Sequence, residues 1–222
     1  MRKVARRLLK TGAKTLGVPM IDLSATLAGD AKWHQNFIIH LASVTKPAVY
    51  VELGIFHCGL FNQILPYVGE AIGVDINPDA GKFMAKNFKG RFIAATSDQL
   101  AAQFQANPIS IDFLFIDADH SKEAVAADFC NLFPFVRPHG LIVLHDTHPI
   151  DDAATAPERC GDGYLEIERL SRETEAFELM TIPVHPGLSL CRKRTRQLSW
   201  MEPAADETSL GASVSRKHGA KP

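Results

Sequence analysis

IDFLFIDADHSKEAVAADFCNLFPFVRPHGLIVLHDTH, residues 111–148, decides how this chain is read. It holds two apolar runs of strand length, Ile111–Ile116 and Leu141–Leu144, with a helix-length segment between them. A strand, a helix and a strand in that order make parallel neighbours, because a crossover helix returns the chain to the same end of the sheet. The acids and imidazoles that close each run then share one edge. Asp117, Asp119 and His120 follow the first run; His145, Asp146 and His148 follow the second. Open α/β sheets bind ligands at that carboxyl edge.

Outward from this unit the same alternation continues. Strands are expected near Ala48–Leu53, Ala71–Asp75, Arg91–Ala95, Phe177–Ile182 and Leu188–Cys191, with a helix over Tyr164–Arg172. Asn77-Pro78 marks one helix start, and Ser121 with Glu123 marks another. The connection through His185-Pro186-Gly187 is too short for a crossover, so the last two strands should form an antiparallel hairpin. The predicted fold is therefore α/β: a Rossmann-like three-layer sandwich with a seven-stranded, mostly parallel sheet and an antiparallel last strand. Residues 1–46 read as an N-terminal helical lead, with Phe37, Ile38, Leu41 and Val44 on one apolar face. Residues 47–194 read as the domain proper and 195–222 as a flexible tail without periodicity.

The chain has 222 residues and a formal net charge of -1. That balance gives no support for nucleic-acid binding. No apolar run approaches a membrane span, so stable membrane insertion is not expected. The first seventeen residues carry Arg2, Lys3, Arg6, Arg7, Lys10 and Lys14 without an acid, and read as a solvated basic helix. Four cysteines without a CxxC pair suit buried free thiols and a cytoplasmic location.

The first strand leads into Glu52-Leu53-Gly54-Ile55-Phe56-His57-Cys58-Gly59. Gly54 permits a tight turn and Gly59 a close backbone approach. This loop lacks the Lys-Ser/Thr of a P-loop and the middle glycine of GxGxxG, where Phe56 stands. Asp75, about twenty residues on, ends the second strand where an acid accepts ribose hydroxyls. Ser97 and Asp98 follow the third strand, placed to line an adenine pocket. A nucleoside site without a pyrophosphate grip favours S-adenosylmethionine over NAD.

Joined together, Val51–Gly54 (VELG), Phe115–Ser121 (FIDADHS) and Leu144–Thr147 (LHDT) resemble the class I S-adenosylmethionine-dependent methyltransferases over residues 47–192. The resemblance implies methyl transfer, with Glu52, Gly54, Asp75 and Asp98 around the cofactor; the reading of the loop and strand ends adds Gly59, Ser97 and Asp117. The same two later segments are similar to the metal-dependent catechol and caffeoyl-CoA type O-methyltransferases. In that pattern Asp117, His145 and Asp146 occupy the metal positions, and His120 stands where those enzymes carry a catalytic lysine. This chain departs from the pattern at His145-Asp146, which replace Asp-Asn, at Cys58 and at His139.

Two carboxylates and an imidazole suit a divalent cation, Mg²⁺ or Mn²⁺, with the imidazole favouring Mn²⁺, Fe²⁺ or Zn²⁺ over Mg²⁺. His120 is the expected general base, its ordinary pKa lying near neutrality. Structural roles compete with these: Asp117 orienting the cofactor's amino group, Asp146 capping its loop, His120 capping the helix at Ser121. The expected activity is methylation of a hydroxyl on a small molecule. A non-catalytic nucleoside- or partner-binding protein and an NAD-linked oxidoreductase are the rivals. The lead helix can either cover the cleft or build a homodimer.

Overall fold

A computed structural model describes residues 32–173 and 175–194. The basic segment and the tail read from the sequence lie outside the described residues. Helix α1 (Trp33–Thr45) precedes β1 (Val49–Leu53), α2 (Gly59–Ile64), β2 (Glu70–Asp75) and β3 (Gly90–Ala94). Then come α3 (Ser97–Ala106), β4 (Ile111–Ile116), α4 (Lys122–Leu132), β5 (Val136–His145), α5 (Tyr164–Leu170), β6 (Phe177–Ile182) and β7 (Leu188–Lys193). The seven strands form one sheet in the order β3-β2-β1-β4-β5-β7-β6. β7 runs antiparallel to both β5 and β6, and every other pairing is parallel.

Strands β1 and β4 lie at the centre and are buried on both faces, which is why they read as almost unbroken apolar runs. The period of two still sorts their side chains. Tyr50, Phe113, Phe115 and Val143 pack with Ile38 and Ala42 of α1 and Leu60, Phe61 and Ile64 of α2. Val51, Leu53, Leu114, Ile116 and Leu144 pack on the opposite face with Leu100 and Phe104 of α3, Val125 and Phe129 of α4, and Ile167 of α5. Helices on both faces of a largely parallel sheet confirm the fold class expected from the sequence.

Three local expectations need correcting. Asn77-Pro78 does not start an α-helix: only a 3₁₀ turn, Ala80–Phe83, separates β2 from β3. Asp75 Oδ1 accepts from the Asn77 N–H at 2.9 Å and Asn77 Oδ1 from the Asp79 N–H at 3.0 Å. Two successive side-chain turns of this kind compete with helical hydrogen bonding. Strand β5 is longer than Leu141–Leu144, because its register shifts between Ile111 and Phe113 and lets Val136 pair ahead of a bulge through Pro138-His139-Gly140. Val44 is exposed, so the apolar face of α1 is Ile38 and Ala42 flanked by Phe37 and Leu41.

Ser121 does cap α4, its Oγ accepting from the Ala124 N–H with Glu123 in the first turn. The four cysteines are free, but Cys130 is exposed rather than buried. Among the described residues no helix is long and apolar enough to cross a membrane.

Candidate active site

The parallel register brings the ends of β1, β2, β4 and β5 to one edge. There the Asp117 N–H donates to the Leu53 carbonyl at 3.0 Å, and the Gly54 N–H donates to the Val74 carbonyl at 2.8 Å. Gly54 has φ +83°, and a Cβ on it would lie 2.1 Å from the Asp117 carbonyl oxygen. Only glycine lets the chain leave β1 this close to β4. Above the turn opens a cleft of about 640 Å³ lined by Gly54, Asp75, Ser97, Asp117, His120 and Asp128, among others. Asp75 fastens the loop: its Oδ2 accepts from the Phe56 N–H at 3.0 Å.

The predicted residues divide on this geometry. Gly54, Asp75, Ser97 and Asp117 line the cleft. Glu52 lies buried beneath it, accepting from the Tyr50 hydroxyl at 2.6 Å. Burial pushes the Glu52 carboxyl up to about 8, with Asp117 adding to the rise and the Tyr50 hydrogen bond opposing it. Gly59 is the first residue of α2, and a Cβ there would meet nothing within 4 Å. Asp98 is exposed in the first turn of α3, bonded to the Thr96 hydroxyl at 2.5 Å, and does not line the cleft.

At one end of the cleft stand two imidazoles and two carboxylates. His120 Nδ1 donates to the Arg159 carbonyl at 2.6 Å and lies 3.1 Å from Asp146 Oδ2, while its Nε2 faces Asp117 Oδ1 at 3.6 Å. His145 Nδ1 donates to Asp117 Oδ1 at 2.9 Å and lies 3.2 Å from Asp146 Oδ2. Asp146 is buried and takes a left-handed backbone conformation, φ 56°, which turns its carboxylate back into the cluster.

These contacts set the charges. The Asp117 carboxylate beside it raises His120 to about 9, burial opposing and the Arg159 carbonyl and Asp146 assisting. Burial alone would lower His145, but Asp117 and Asp146 outweigh it and raise the ring to about 10. Burial alone would raise Asp117, but His145 and His120 hold it well below the usual carboxylate range. At neutral pH both rings are therefore imidazolium, which differs from the neutral base expected from an unperturbed histidine.

A stability consequence follows by linkage. Each histidine binds its proton more tightly folded than unfolded, so its contribution is full below about pH 6.5 and is lost as pH rises through about 9 and about 10. Asp117 works in the other direction, its contribution being lost only as pH falls through its depressed folded value. The melting temperature should fall steadily from about pH 6.5 to pH 10 and then level off. His145→Gln should flatten that slope in a thermal-melt series; an unchanged slope would remove the coupling.

The donor set suits a divalent cation. Asp117, His120 and Asp146 each offer an atom within 4.8 Å of the others. Two carboxylates with one imidazole fit Mn²⁺, Fe²⁺ or Zn²⁺ better than Mg²⁺. The Arg159 carbonyl on His120 Nδ1 leaves Nε2 directed at Asp117, the outer-shell arrangement common for ligating histidines. His145, placed among the ligands by the sequence, instead bonds the two carboxylates from behind, and its Nε2 has no hydrogen-bond partner among the described residues. His120 takes its place in the converging set.

In sequence Asp128 reads as a surface acid within a helix, yet it lines the cleft. It stands with Ala124 and Ala127 on one side of α4, near Ser97. The spacing of Ala124, Ala127 and Asp128 at i, i+3 and i+4 was a usable signal, small residues leaving room beside a carboxylate. His34 of α1 was also missed; its ring lies 4.3 Å from that of His145. His57 and His148 stay outside the cluster. His57 packs on Phe56 and Phe83, and the His148 backbone N–H donates to the Pro186 carbonyl.

Sheet order and the antiparallel last strand together give a Rossmann-like fold of the kind that methyltransferases share. Residues 51–147 match the family model described as a methyltransferase domain. No curated protein matches the chain. Solved structures with the same fold include the O-methyltransferase from Bacillus cereus in complex with SAH, at TM-score 0.62 and 14% identity, covering 84% of this chain and 97% of that one. Another is TomG from Streptomyces achromogenes, an O-methyltransferase involved in tomaymycin synthesis and solved with SAM. It matches at TM-score 0.61 and 15% identity, covering 82% and 86%. A methyltransferase from Geobacter sulfurreducens matches at TM-score 0.56 and 14% identity, covering 85% and 87%.

Proposed function

We propose that this chain is an S-adenosylmethionine-dependent methyltransferase acting on a hydroxyl of a small molecule. One observation carries the reading: a cleft sized for a nucleoside, with Asp75 on one wall, runs directly to the Asp117–His120–Asp146 cluster. The same-fold proteins solved with SAH and SAM support the choice of cofactor.

When bound, S-adenosylmethionine supplies a methyl on a cationic sulfur, which keeps the bonding pair as a neutral thioether once the acceptor oxygen has taken the methyl. A divalent cation on Asp117, His120 and Asp146 would lower the pKa of the acceptor hydroxyl. Asp75 binds the ribose hydroxyls through the lone pairs that its two backbone partners leave open. Ser97 and Asp128 border the adenine end, and Gly54 lets the cofactor approach the backbone. Glu52 acts from below by bracing the turn through Tyr50. His120 carries a proton up to about pH 9, so without an ion it accepts the hydroxyl proton only above that value. His145 keeps the two carboxylates together.

Calorimetric titration with S-adenosylmethionine, with and without Mn²⁺ and with NAD as control, tests the reading. Binding of S-adenosylmethionine and not NAD is expected. Asp75→Ala should weaken it about tenfold to a hundredfold, the value of a charge-assisted hydrogen-bond pair. Unaltered affinity in that variant would end the ribose assignment.

A further inference from the structure

A second cavity of about 640 Å³ meets the cofactor cleft along Ala118, Asp119 and His120, which line both. We propose that this cavity receives the methyl acceptor and that the acceptor carries an organic cation, such as a protonated amine. The inference deepens the methyltransferase reading above and rests on it. Volume and the shared wall define the site; the charge of the lining decides what it admits.

The far wall is held firmly onto His120. The Gly163 N–H donates to the His120 carbonyl at 2.8 Å, and the Lys122 N–H donates to Asp162 Oδ1 at 2.8 Å. Gly161 lies so close that a Cβ on it would sit 2.4 Å from the His120 carbonyl oxygen. His120 Nδ1 reaches the same segment at the Arg159 carbonyl. The cavity is therefore built around the residue placed at the reaction, and its volume falls within the range of small-molecule sites.

Its lining contains four carboxylates, Asp119, Glu123, Glu158 and Asp162, against the single imidazole of His120, and neither lysine nor arginine. Asp119 and Asp162 are engaged by backbone N–H groups of Ser121 and Lys122. Glu123 and Glu158 are exposed and have no hydrogen bond or ion pair among the described residues. An ammonium group between them would gain charge-assisted hydrogen bonds, while the acceptor hydroxyl points at His120 across the cavity. A phosphate or carboxylate on the acceptor would instead face four like charges. Discrimination by such repulsion is as effective as discrimination by attraction.

The test uses the full chain saturated with S-adenosylhomocysteine and matched triplets of fragment-sized hydroxyl compounds in ammonium, neutral and carboxylate forms. Tyramine, 4-ethylphenol and 3-(4-hydroxyphenyl)propionate form the first triplet, and binding is read by saturation-transfer NMR. The ammonium members should bind about tenfold or more tightly than the neutral ones at low salt, the carboxylates weakest. The pair Glu123→Gln, Glu158→Gln should abolish that preference and leave S-adenosylmethionine affinity unaltered. Equal or reversed preference, a preference that survives the double variant, or no binding from any triplet overturns the proposal. Failure to bind S-adenosylhomocysteine at the outset would strike the methyltransferase reading instead.

Discussion

Asp117→Asn should lower turnover by about a hundredfold to ten-thousandfold, the range spanned by loss of positioned acid–base or ligand groups. The substitution keeps the shape and removes the charge that both imidazoles face. His145 and His120 would then fall back toward the ordinary histidine range, and the converging carboxylate pair would be reduced to Asp146 alone. Three readouts separate this from simple unfolding. Circular dichroism should be unaltered, histidine NMR titrations should move down in pH, and any Mn²⁺ stimulation should vanish. Turnover within about threefold of the parent chain would show that Asp117 is neither a ligand nor the organiser of the cluster.

Gly54→Ala should cost more than about 3 kcal/mol of stability, above the usual cost of backbone strain alone. The added Cβ meets the backbone of Asp117 and Ala118, and backbone at the centre of a sheet cannot move aside as the tip of a side chain can. The carboxyl edge would splay where β1 and β4 are meant to touch, and cofactor binding would go with it. Gly59→Ala is the matched control. It adds the same methyl at a helix start with open space around it, and should be neutral or stabilising by about 0.5–1 kcal/mol. Urea unfolding of the two variants compares them directly; similar midpoints would contradict the asymmetry.

The contrast between these two glycines shows where sequence reading succeeds and where it stops. Strand ends and the placing of Asp75 and Asp117 on one edge followed from alternation of apolar runs with helix-length segments, because parallel pairing fixes which ends coincide. Gly54 and Gly59 look alike in a motif, yet only the first lies against another backbone. The candidate metal set was less legible for the same reason. His120 and His145 sit at equivalent strand ends and both face Asp117 and Asp146; the contact of His120 with the Arg159 carbonyl comes from a loop thirty-nine residues on. Asp128 was missed because a half-buried carboxylate one helical turn past two alanines looks like any surface acid until the neighbouring wall is in place.

The chain's two described ends stand on opposite sides of the sheet. Trp33 donates to the His185 carbonyl and His34 packs on His145, so the polypeptide arrives at the reacting edge. β7 is antiparallel to β5, so at Lys193 it departs from the other. The chain thus enters the described domain beside the candidate site and leaves it from the far edge of the sheet. For tethering the domain to a scaffold, the carboxyl side is the handle and the amino side is the door.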